Sequence, residues 1–440
     1  MCGILGITGE KIKKYTKENL NSAINSLSKR GPDEKDLFFT DNCILGQTRL
    51  SIIDLSSGKQ PINDEKIKTT ITFNGEIYNY KELKKELEDK GHTFSTKSDT
   101  EVILKAYNEY GINCIEKLDG MFAFAIWDEN KQQLFMARDF FGQKPFYYAF
   151  DNNKNLIFAS EIKAILEAGI KGEIDYQAID DYLRLLYIPQ TKSIYKNIYN
   201  LSPAHFAIFK NGKMETKRYW SLKYSPISIS KKEAKRKLEE LLKKAIIKRL
   251  VADVEVGTML SGGLDSSLIT SIAQKNTDHQ IKTFSVGFEN FINELPFAKQ
   301  VAEDLNTDHN ELIMNVDIAE ELKIIASYYD EPHADAANLP THLISKMARE
   351  KVKVLLSGDG ADELFYGYGW TWKHHNLDTK NKLWQLLFSN PFKDYQKATT
   401  CFSKRDRKKL WKNAKNIDHN LQIDFTDSKK TSFMQKINLF

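Results

Sequence analysis

The sequence has few cysteines and no long hydrophobic run. Its 440 residues include four cysteines, at positions 2, 43, 114 and 401, and no two of them form a C-x-x-C pair. This spacing argues against a disulfide framework and against a cysteine-bound metal. The longest apolar run, 121–127, is far too short to span a bilayer, and the lysine-rich segment after Ile7 is too polar for a secretory signal. We expect a globular cytoplasmic protein with no membrane partner.

Positive charge is concentrated near the end of the chain. The net charge is +5, but residues 371–440 alone hold 13 Lys and 2 Arg against 6 Asp and no Glu. A basic segment can bind nucleic acid, but these lysines are spaced among Trp, Leu and Phe at helix-like intervals. The favoured interpretation is a solvated helical surface, and we expect no nucleic-acid partner.

The pattern of predicted strands and helices changes near residue 222. The earlier part carries β-branched and aromatic runs around Asp/Asn turn clusters, interrupted by short helical patterns that end in glycine. The later part alternates strand and helix patterns, which favours βαβ units and a mainly parallel sheet. We therefore predict two domains, 1–221 with α+β character and 222–440 with α/β character.

A glycine-serine loop in the later part predicts a phosphate site. VEVGTML leads into SGGLDSS and then into a helical pattern, so backbone N–H groups and hydroxyls would surround an anion at a helix N-terminus. The Walker pattern is absent, and the loop contains Asp265 where a lysine would be expected. A carboxylate beside phosphates needs a bridging cation, most simply Mg2+.

A second acidic loop follows another apolar strand. KVKVLL leads into SGDGADE, so Asp359, Asp362 and Glu363 would emerge at the carboxyl end of a buried strand, where open α/β sheets bind ligands. A simple tight turn is the alternative for this loop. SGGLDSS resembles the pyrophosphate-binding loop of ATP pyrophosphatases, which predicts that this half transfers AMP to a carboxylate.

Cys2 has a property that only this position offers. If Met1 is removed, Cys2 carries a thiol and a free α-amine, with ordinary pKa values of about 8.5 and about 7.7 to 8.0. One residue can then supply nucleophile and base, as in enzymes with an N-terminal threonine.

Several motifs together resemble the glutamine-hydrolysing asparagine synthetase family. They are MCGILG, KRGPDE, RLSIIDL, NGEIYN, SDTE, RDFFGQKPFYY, FASEIKAIL, SGGLDSS, DEPHADAANLP and SGDGADELF. The resemblance implies a class II glutaminase domain, with an N-terminal-nucleophile sandwich of antiparallel sheets and helices. An ATP-pyrophosphatase domain with a mainly parallel sheet would follow. ATP and Mg2+, glutamine and an acceptor acid are the implied cofactors and small-molecule partners; a homodimer is left open.

The resemblance also implies roles for residues of the glutaminase half. Cys2 would attack the glutamine carboxamide, while Asn74 and the N–H of Gly75 would form the oxyanion hole. Arg49 would bind the substrate α-carboxylate through its planar guanidinium. Considered alone, Arg49 would be interpreted as a member of a surface ion pair, and Asn74-Gly75 would be interpreted as a turn.

Asp99 and Glu76 are implied to face the substrate α-ammonium group. In isolation Asp99 also reads as a surface ion pair.

In the synthetase half, the resemblance implies a larger set of residues that bind ATP. They are Leu260, Ser261, Gly262, Gly263, Asp265, Ser266, Ser267, Val286, Ser357 and Gly358. Asp265 and Asp362 would hold Mg2+, and Asp359 would assist formation of the adenylate. Leu260 and Val286 also fit the pattern of core strand residues. An internal ammonia channel is implied by the resemblance alone.

The sequence departs from the family pattern in two places. Lys29 replaces the usual histidine of KRGPDE, which would change packing beside the thiol. The chain also stops at FMQKINLF, where the family continues with further helices, so we expect an incomplete synthetase domain. Three functions therefore stay open: an asparagine synthetase, an amidotransferase for another carboxylate such as a uronic acid, and an inactive or interaction-only remnant.

Overall fold

The structure of the chain is a computed structural model that describes residues 1–223, 225–288, 293–365, 367–369, 400–411 and 417. Most of the basic segment 371–440, with the helical surface predicted for it, lies outside these residues. The chain divides into two compact units. The first comprises Met1–Ala178, Ile188–Ser221 and Val251–Asp253; the second comprises Ile179–Tyr187, Leu222–Leu250 and the chain from Val254. No helix in the described ranges is long and apolar enough to cross a membrane.

The first unit contains two antiparallel six-stranded sheets. The order in one sheet is β10 (Ile198–Asn200), β8 (Tyr147–Phe150), β9 (Leu156–Ala159), β1 (Gly3–Thr8), β3 (Cys43–Arg49) and β2 (Glu34–Phe39). The order in the other is β12 (Lys213–Arg218), β11 (His205–Lys210), β7 (Gln133–Arg138), β6 (Gly120–Asp128), β5 (Thr69–Ile77) and β4 (Ile62–Asp64). β1 begins immediately after Cys2, and all six of its residues are buried.

The two sheets pack face to face with helices on both outer faces. Side chains alternate along each strand, and in β6 Ala123, Ala125 and Trp127 pack with residues of the other sheet, including Phe158. The intervening residues of β6 face the outer layer. That layer contains α2 (Tyr80–Asp89), α3 (Asp99–Tyr110) and a 3-10 helix (Gly111–Lys117), whereas α1 (Lys17–Ser26) and α4 (Ile162–Glu167) cover the other sheet. The predicted sandwich is confirmed.

The second unit is built on a parallel sheet, as predicted. Its strand order is β15 (Asp308–Met314), β14 (Lys282–Phe288), β13 (Val256–Met259) and β16 (Val354–Leu356). The helices among its described residues are α6 (Lys231–Arg249), α7 (Leu264–Gln274), α8 (Leu295–Leu305), α9 (Ile318–Ala326), α10 (Asn338–Arg349), α11 (Ala361–Phe365) and α12 (Lys404–Leu410); α5 (Tyr176–Leu185) begins in the first unit and ends in the second.

The strand order reverses direction at β13. The chain proceeds from β13 to β14 and β15 on one side, and β16 then adds to the other side of β13. A crevice opens at the carboxyl ends of two strands where the order switches. The SGGLDSS loop follows β13 and the SGDGADE loop follows β16, so the topology brings both predicted phosphate-site loops to this crevice.

Candidate functional site

Cys2 immediately precedes β1 and is held by backbone contacts. Arg30 Nε donates to the carbonyl oxygen of Cys2 at 2.9 Å, and the Cys2 Sγ donates to the carbonyl oxygen of Leu50 at 3.8 Å. Burial raises the pKa of the thiol above its ordinary value. The thiol is therefore protonated near neutral pH, and a base must remove its proton before it can attack.

The α-amine beside Cys2 lies in an environment that favours its neutral form. Burial lowers the pKa of the Met1 α-amine from 8.0 to about 6 against the opposing charge of Cys2, and the positive charges of Arg30 and Lys144 lower it further. Lys144 is itself buried, and its Nζ lies 3.1 Å from Met1 Sδ. An amine at this end of the chain would be mostly unprotonated at pH 7 and could accept a proton.

Asn74 lies on β5 with its side chain fully buried. Neither the amide oxygen nor the amide nitrogen of this side chain has a hydrogen-bond partner in the described part of the chain. Glu76, two residues further along the strand, shares its face, and the charge of Glu76 acts on the Cys2 thiol. Buried amides are normally paired, so this amide has hydrogen-bonding capacity that is available to a ligand.

The backbone N–H of Gly75 points toward the free edge of β5. Phe73 N–H donates to Gln60 Oε1 at 3.0 Å. Ile77 N–H donates to Asp99 Oδ2, also at 3.0 Å. Because hydrogen-bonding direction alternates along an antiparallel strand, Gly75 N–H points the same way, and β4 pairs with β5 only before this point. A second donor therefore lies beside the unpaired amide of Asn74.

The carboxyl groups of the half-buried Glu76 and the buried Asp99 interact through their charges. Burial raises the pKa of Asp99 to about 6 against the bond from Ile77 N–H. Burial, followed by the charge of Asp99, raises the pKa of Glu76 well above its ordinary value. A cation held between them would favour the ionised form of both, which suits an ammonium group.

Arg49 ends β3 and is 3% exposed. Its Nη1 donates to Glu34 Oε2 at 3.0 Å, and its Nη2 donates to the carbonyl oxygens of Ile53 at 3.0 Å and Asp54 at 2.6 Å. These described residues use three of the five guanidinium N–H groups. The guanidinium is thus fixed in place and retains donors for a carboxylate.

The second unit contains a cavity of about 320 Å3 at the switch point of its sheet. Eight of the residues predicted for ATP binding, together with Asp359, line it. They are Leu260, Ser261, Gly263, Asp265, Ser266, Val286, Ser357 and Gly358. The remaining predicted residues, Gly262, Ser267 and Asp362, are not among the lining residues.

The SGGLDSS loop is ordered by its own hydroxyls. Ser261 Oγ and Ser266 Oγ lie 3.0 Å apart, and Gly263 N–H donates to Ser261 Oγ at 3.2 Å. Gly263 is the N-cap of α7, and no side chain caps this helix. The first N–H groups of α7 therefore face the cavity, an arrangement that suits a phosphate.

Asp265 and Asp359 bring two carboxylates to this cavity, while Asp362 lies on α11. The described residues contain no group of three or more His, Cys, Asp or Glu side chains that could hold a metal ion. Carboxylates with few other protein ligands are typical of Mg2+ that is bound together with phosphates. The donor set therefore fits Mg2+ only as a companion of a nucleotide.

Some residues around the two sites were not predicted from the sequence. Arg30 and Lys144 lie within KRGPDE and RDFFGQKPFYY, so the motifs contained the signal although no role was assigned to either residue. Glu294, Leu295, Ala298 and Ile344 line the cavity and come from α8, its N-cap and α10. Lys29 is exposed, and it is the adjacent Arg30 that contacts Cys2.

Comparisons with known proteins match both halves of the chain. Residues 1–220 match the family model described as a glutamine amidotransferase domain, and residues 237–438 match the model described as asparagine synthase. A putative glutamine-hydrolyzing asparagine synthetase 2 of Methanocaldococcus jannaschii is 40% identical over 414 residues, which cover 88% of this chain and 79% of the relative.

Two further matches are a curated relative and a solved structure. Glutamine-hydrolyzing asparagine synthetase 1 of Bacillus subtilis is 38% identical over 374 residues, which cover 84% of this chain and 59% of the relative. The chain thus spans little more than half of that relative's length. A solved glutamine phosphoribosylpyrophosphate amidotransferase from B. subtilis has a TM-score of 0.38 and 17% identity, covering 73% of this chain and 70% of that chain.

Proposed function

Because the chain belongs to the glutamine-hydrolysing asparagine synthetase family, we propose that it transfers the amide nitrogen of glutamine to a carboxylic acid that it first activates with ATP. Aspartate is the acid proposed, since the relatives are named as asparagine synthetases. The fully buried, unpaired amide of Asn74 is the observation that carries the glutaminase half of the proposal.

In the proposed first reaction, Cys2 is the nucleophile. Once Met1 is removed, the α-amine of Cys2 takes the thiol proton as sulfur adds to the glutamine carboxamide. Asn74 and Gly75 N–H would donate to the oxyanion of the tetrahedral intermediate. The proton then passes to the leaving nitrogen, ammonia departs, and water hydrolyses the thioester to glutamate.

Recognition of the glutamine backbone is assigned to groups of opposite charge. Arg49 would bind the α-carboxylate through the guanidinium N–H groups that the protein leaves available. Asp99 and Glu76 would bind the α-ammonium group, whose charge compensates two carboxylates in a buried position. Both contacts exclude simple amides that lack the amino-acid backbone.

In the proposed second reaction, the acid attacks the α-phosphate of ATP and pyrophosphate leaves. The SGGLDSS loop and the N-terminus of α7 would hold the phosphates, and Leu260 and Val286 the adenosine. Asp265 and Asp362 would hold Mg2+, which neutralises phosphate charge when bound. Ammonia then attacks the acyl carbon of the adenylate, and the products are the amide and AMP.

Replacement of the nucleophile tests the glutaminase assignment. We expect Cys2→Ala to abolish glutamate formation from glutamine while leaving amide synthesis from ammonium chloride intact. Cys401→Ala is the matched control, because Cys401 is an exposed free thiol, and it should retain both activities. Glutamate formation by Cys2→Ala at the wild-type rate would contradict the proposal.

A panel of acids tests the synthetase assignment. Pyrophosphate release is measured with ATP, Mg2+ and aspartate, glutamate or glucuronate in turn. We expect release with aspartate and only background with the other acids. Release confined to glucuronate would contradict the acceptor assignment, and background release with every acid would contradict the synthetase half.

A further inference from the structure

The acceptors that hold Arg49 lie in an unusual turn. Asp54 has a φ of +54°, in the left-handed region that non-glycine residues rarely adopt. Its carbonyl oxygen accepts from Arg49 Nη2 at 2.6 Å and from Gly58 N–H at 3.2 Å. A left-handed residue of this kind persists only where its surroundings hold it, so the position of the guanidinium depends on whatever fixes Asp54.

The side chain of Asp54 joins this turn to the segment before Asp99. Its Oδ1 accepts from Ser57 N–H at 3.0 Å, and its Oδ2 accepts from Ser57 Oγ at 2.6 Å. The same Oδ2 accepts from Lys97 N–H at 2.8 Å. Lys97 stands two residues before Asp99, so one buried aspartate links the residue proposed for the α-carboxylate with the residue proposed for the α-ammonium.

The remaining polar group of Asp54 is satisfied from far along the chain. Asp54 N–H donates to Asp253 Oδ2 at 2.7 Å, and Asp253 N–H donates to the carbonyl oxygen of Ile52 at 2.9 Å. Val251 packs against the apolar core beneath α2 and α3. Asp253 thus holds the turn through one hydrogen bond of its side chain and one of its backbone.

Through these contacts the segment Val251–Asp253 packs with the first unit, although the elements on either side of it belong to the second. It lies between α6 and β13, two elements of the second unit, yet its three residues belong to the first unit. Asp253 also acts electrostatically on Tyr80, the same tyrosine on which Asp99 and Glu76 act. Burial, followed by the charges of Asp253, Asp99 and Glu76, raises the pKa of Tyr80 to about 12.

We propose that Asp253 is a positioning residue for glutamine binding: by accepting the Asp54 N–H, it keeps the turn at 52–58 in the shape that holds the guanidinium of Arg49. The inference rests on the proposed function. Its consequence is that the glutamine site is completed by a segment that follows α6, and not by residues 1–221 alone.

Two substitutions in the full chain separate positioning from charge. Asp253→Ala removes the acceptor, so the Asp54 turn relaxes, and we expect the KM for glutamine to rise about tenfold with kcat within about twofold. Asp253→Asn keeps an acceptor oxygen and loses the charge, and it should restore a KM within about twofold of the wild type. Asp151→Ala is the matched control, because Asp151 orders the β8–β9 turn through Asn153 N–H and Asn155 N–H.

Covalent labelling gives a readout that does not depend on turnover. A glutamine analogue with a diazoketone side chain should label Cys2 with a half-saturating concentration about tenfold higher in Asp253→Ala than in the wild type. Iodoacetamide, which lacks an α-carboxylate, should label both at equal rates. Mass spectrometry of the peptide that contains Cys2 measures both reactions separately from alkylation of the exposed Cys401, and the Asp151→Ala chain should match the wild type in each.

The outcomes distinguish this inference from the function on which it rests. If the analogue does not label Cys2 of the wild type, both the glutaminase assignment and the inference fail. If the wild type is labelled with saturation and Asp253→Ala behaves identically, only the inference fails. A KM in Asp253→Asn as high as in Asp253→Ala would assign the effect to charge, and parallel losses in Asp253→Ala and Asp151→Ala would assign it to stability; either result overturns the positioning role.

Discussion

The two candidate sites are built in different ways. In the first unit, Arg49, Asn74 and Asp99 lie at or near the ends of core elements, and each is less than 5% exposed. In the second unit, the predicted phosphate residues lie on the loops after β13 and β16 and on the first turn of α7, where Leu264 is 82% exposed. One site is held by the interior of a sandwich, whereas the other is held by loops that the sheet topology brings together.

The surrounding cores differ in the same direction. Three large apolar clusters fill the first unit, whereas the clusters of the described part of the second unit contain three or four buried residues each. Fixed dipoles in a buried site stabilise developing charge without reorganising. Under the proposed function, the first site would supply its oxyanion hole by its fold alone, while the second would need the phosphates themselves to complete its set of contacts.

The largest expected effect tests whether the buried amide of Asn74 serves a ligand and contributes nothing to the stability of the protein. We expect Asn74→Ala to lower kcat for glutamine hydrolysis by about 10^2 to 10^3. The stability of the protein should be unchanged or higher, since the buried amide that is removed has no partner among the described residues. Steady-state kinetics and urea unfolding measure the two quantities.

Asn155→Ala is the matched control for this experiment. The Asn155 amide nitrogen donates to Lys11 O at 3.0 Å and to Asp151 Oδ2 at 2.9 Å. Its removal should therefore lower stability by about 1 kcal/mol and leave kcat unchanged. If Asn74→Ala lowered stability and left kcat unchanged, as expected for Asn155→Ala, the Asn74 amide would be an ordinary structural group and the comparison of the two sites would be wrong.

A smaller effect tests the dependence of the second site on loop geometry. Gly262 has a φ of +79°, and a Cβ there would lie 2.6 Å from the backbone carbon of Phe297. Gly360 has a φ of +88°, and a Cβ there would meet no atom of the described residues within 4 Å. Both alanine variants incur a left-handed cost of about 1 kcal/mol, but only Gly262→Ala must displace α8.

We therefore expect pyrophosphate release to fall about tenfold in Gly262→Ala and considerably less in Gly360→Ala. Glutamine hydrolysis without ATP should be retained by both variants, because each substitution lies in the second unit. Equal losses of pyrophosphate release would show that left-handed strain, and not the contact with α8, limits the loop.

The fold could be predicted where short, contiguous patterns determine it, and the roles assigned to motif residues stay predictions. Alternating apolar residues predict the strands of the sandwich, because a period of two matches the pleat. Cys2, Asn74 and Asp99 belong to motifs whose residues remain close in the fold. The parallel sheet likewise follows from alternating strand and helix patterns, and its switch point then brings SGGLDSS and SGDGADE together.

The parts that were missed depend on contacts between distant segments. Asp253 meets Asp54 across 199 residues of sequence, and no local pattern distinguishes it from a solvated aspartate in a linker. Glu294 and Ile344 line the cavity of the second unit because of where α8 and α10 pack. Such residues carry no motif, and only the packing of the helices on the sheet identifies them.

The smallest expected effect concerns the stability that the protein loses because the carboxyl group of Asp99 is buried. Asp99 has a pKa raised to about 6 by burial, above the ordinary value of 3.8. Between these two values the folded state holds a proton that the unfolded state has lost, so stability falls as pH rises toward 6 and remains reduced above it. Asp99→Asn removes this penalty and keeps an oxygen that accepts from Ile77 N–H.

We expect Asp99→Asn to be about 2 kcal/mol more stable than the wild type at pH 8, with a difference that shrinks as pH falls from 7 to 5, while its KM for glutamine rises. Urea unfolding across this pH range, with the same substitution at the exposed Asp119 as control, measures the difference. A difference independent of pH would show that the carboxyl group of Asp99 is not the source of the penalty. If Asp99→Asn were less stable than the wild type, the buried carboxyl group would not cost stability. The contrast drawn between the site of the first unit and that of the second unit would then be wrong.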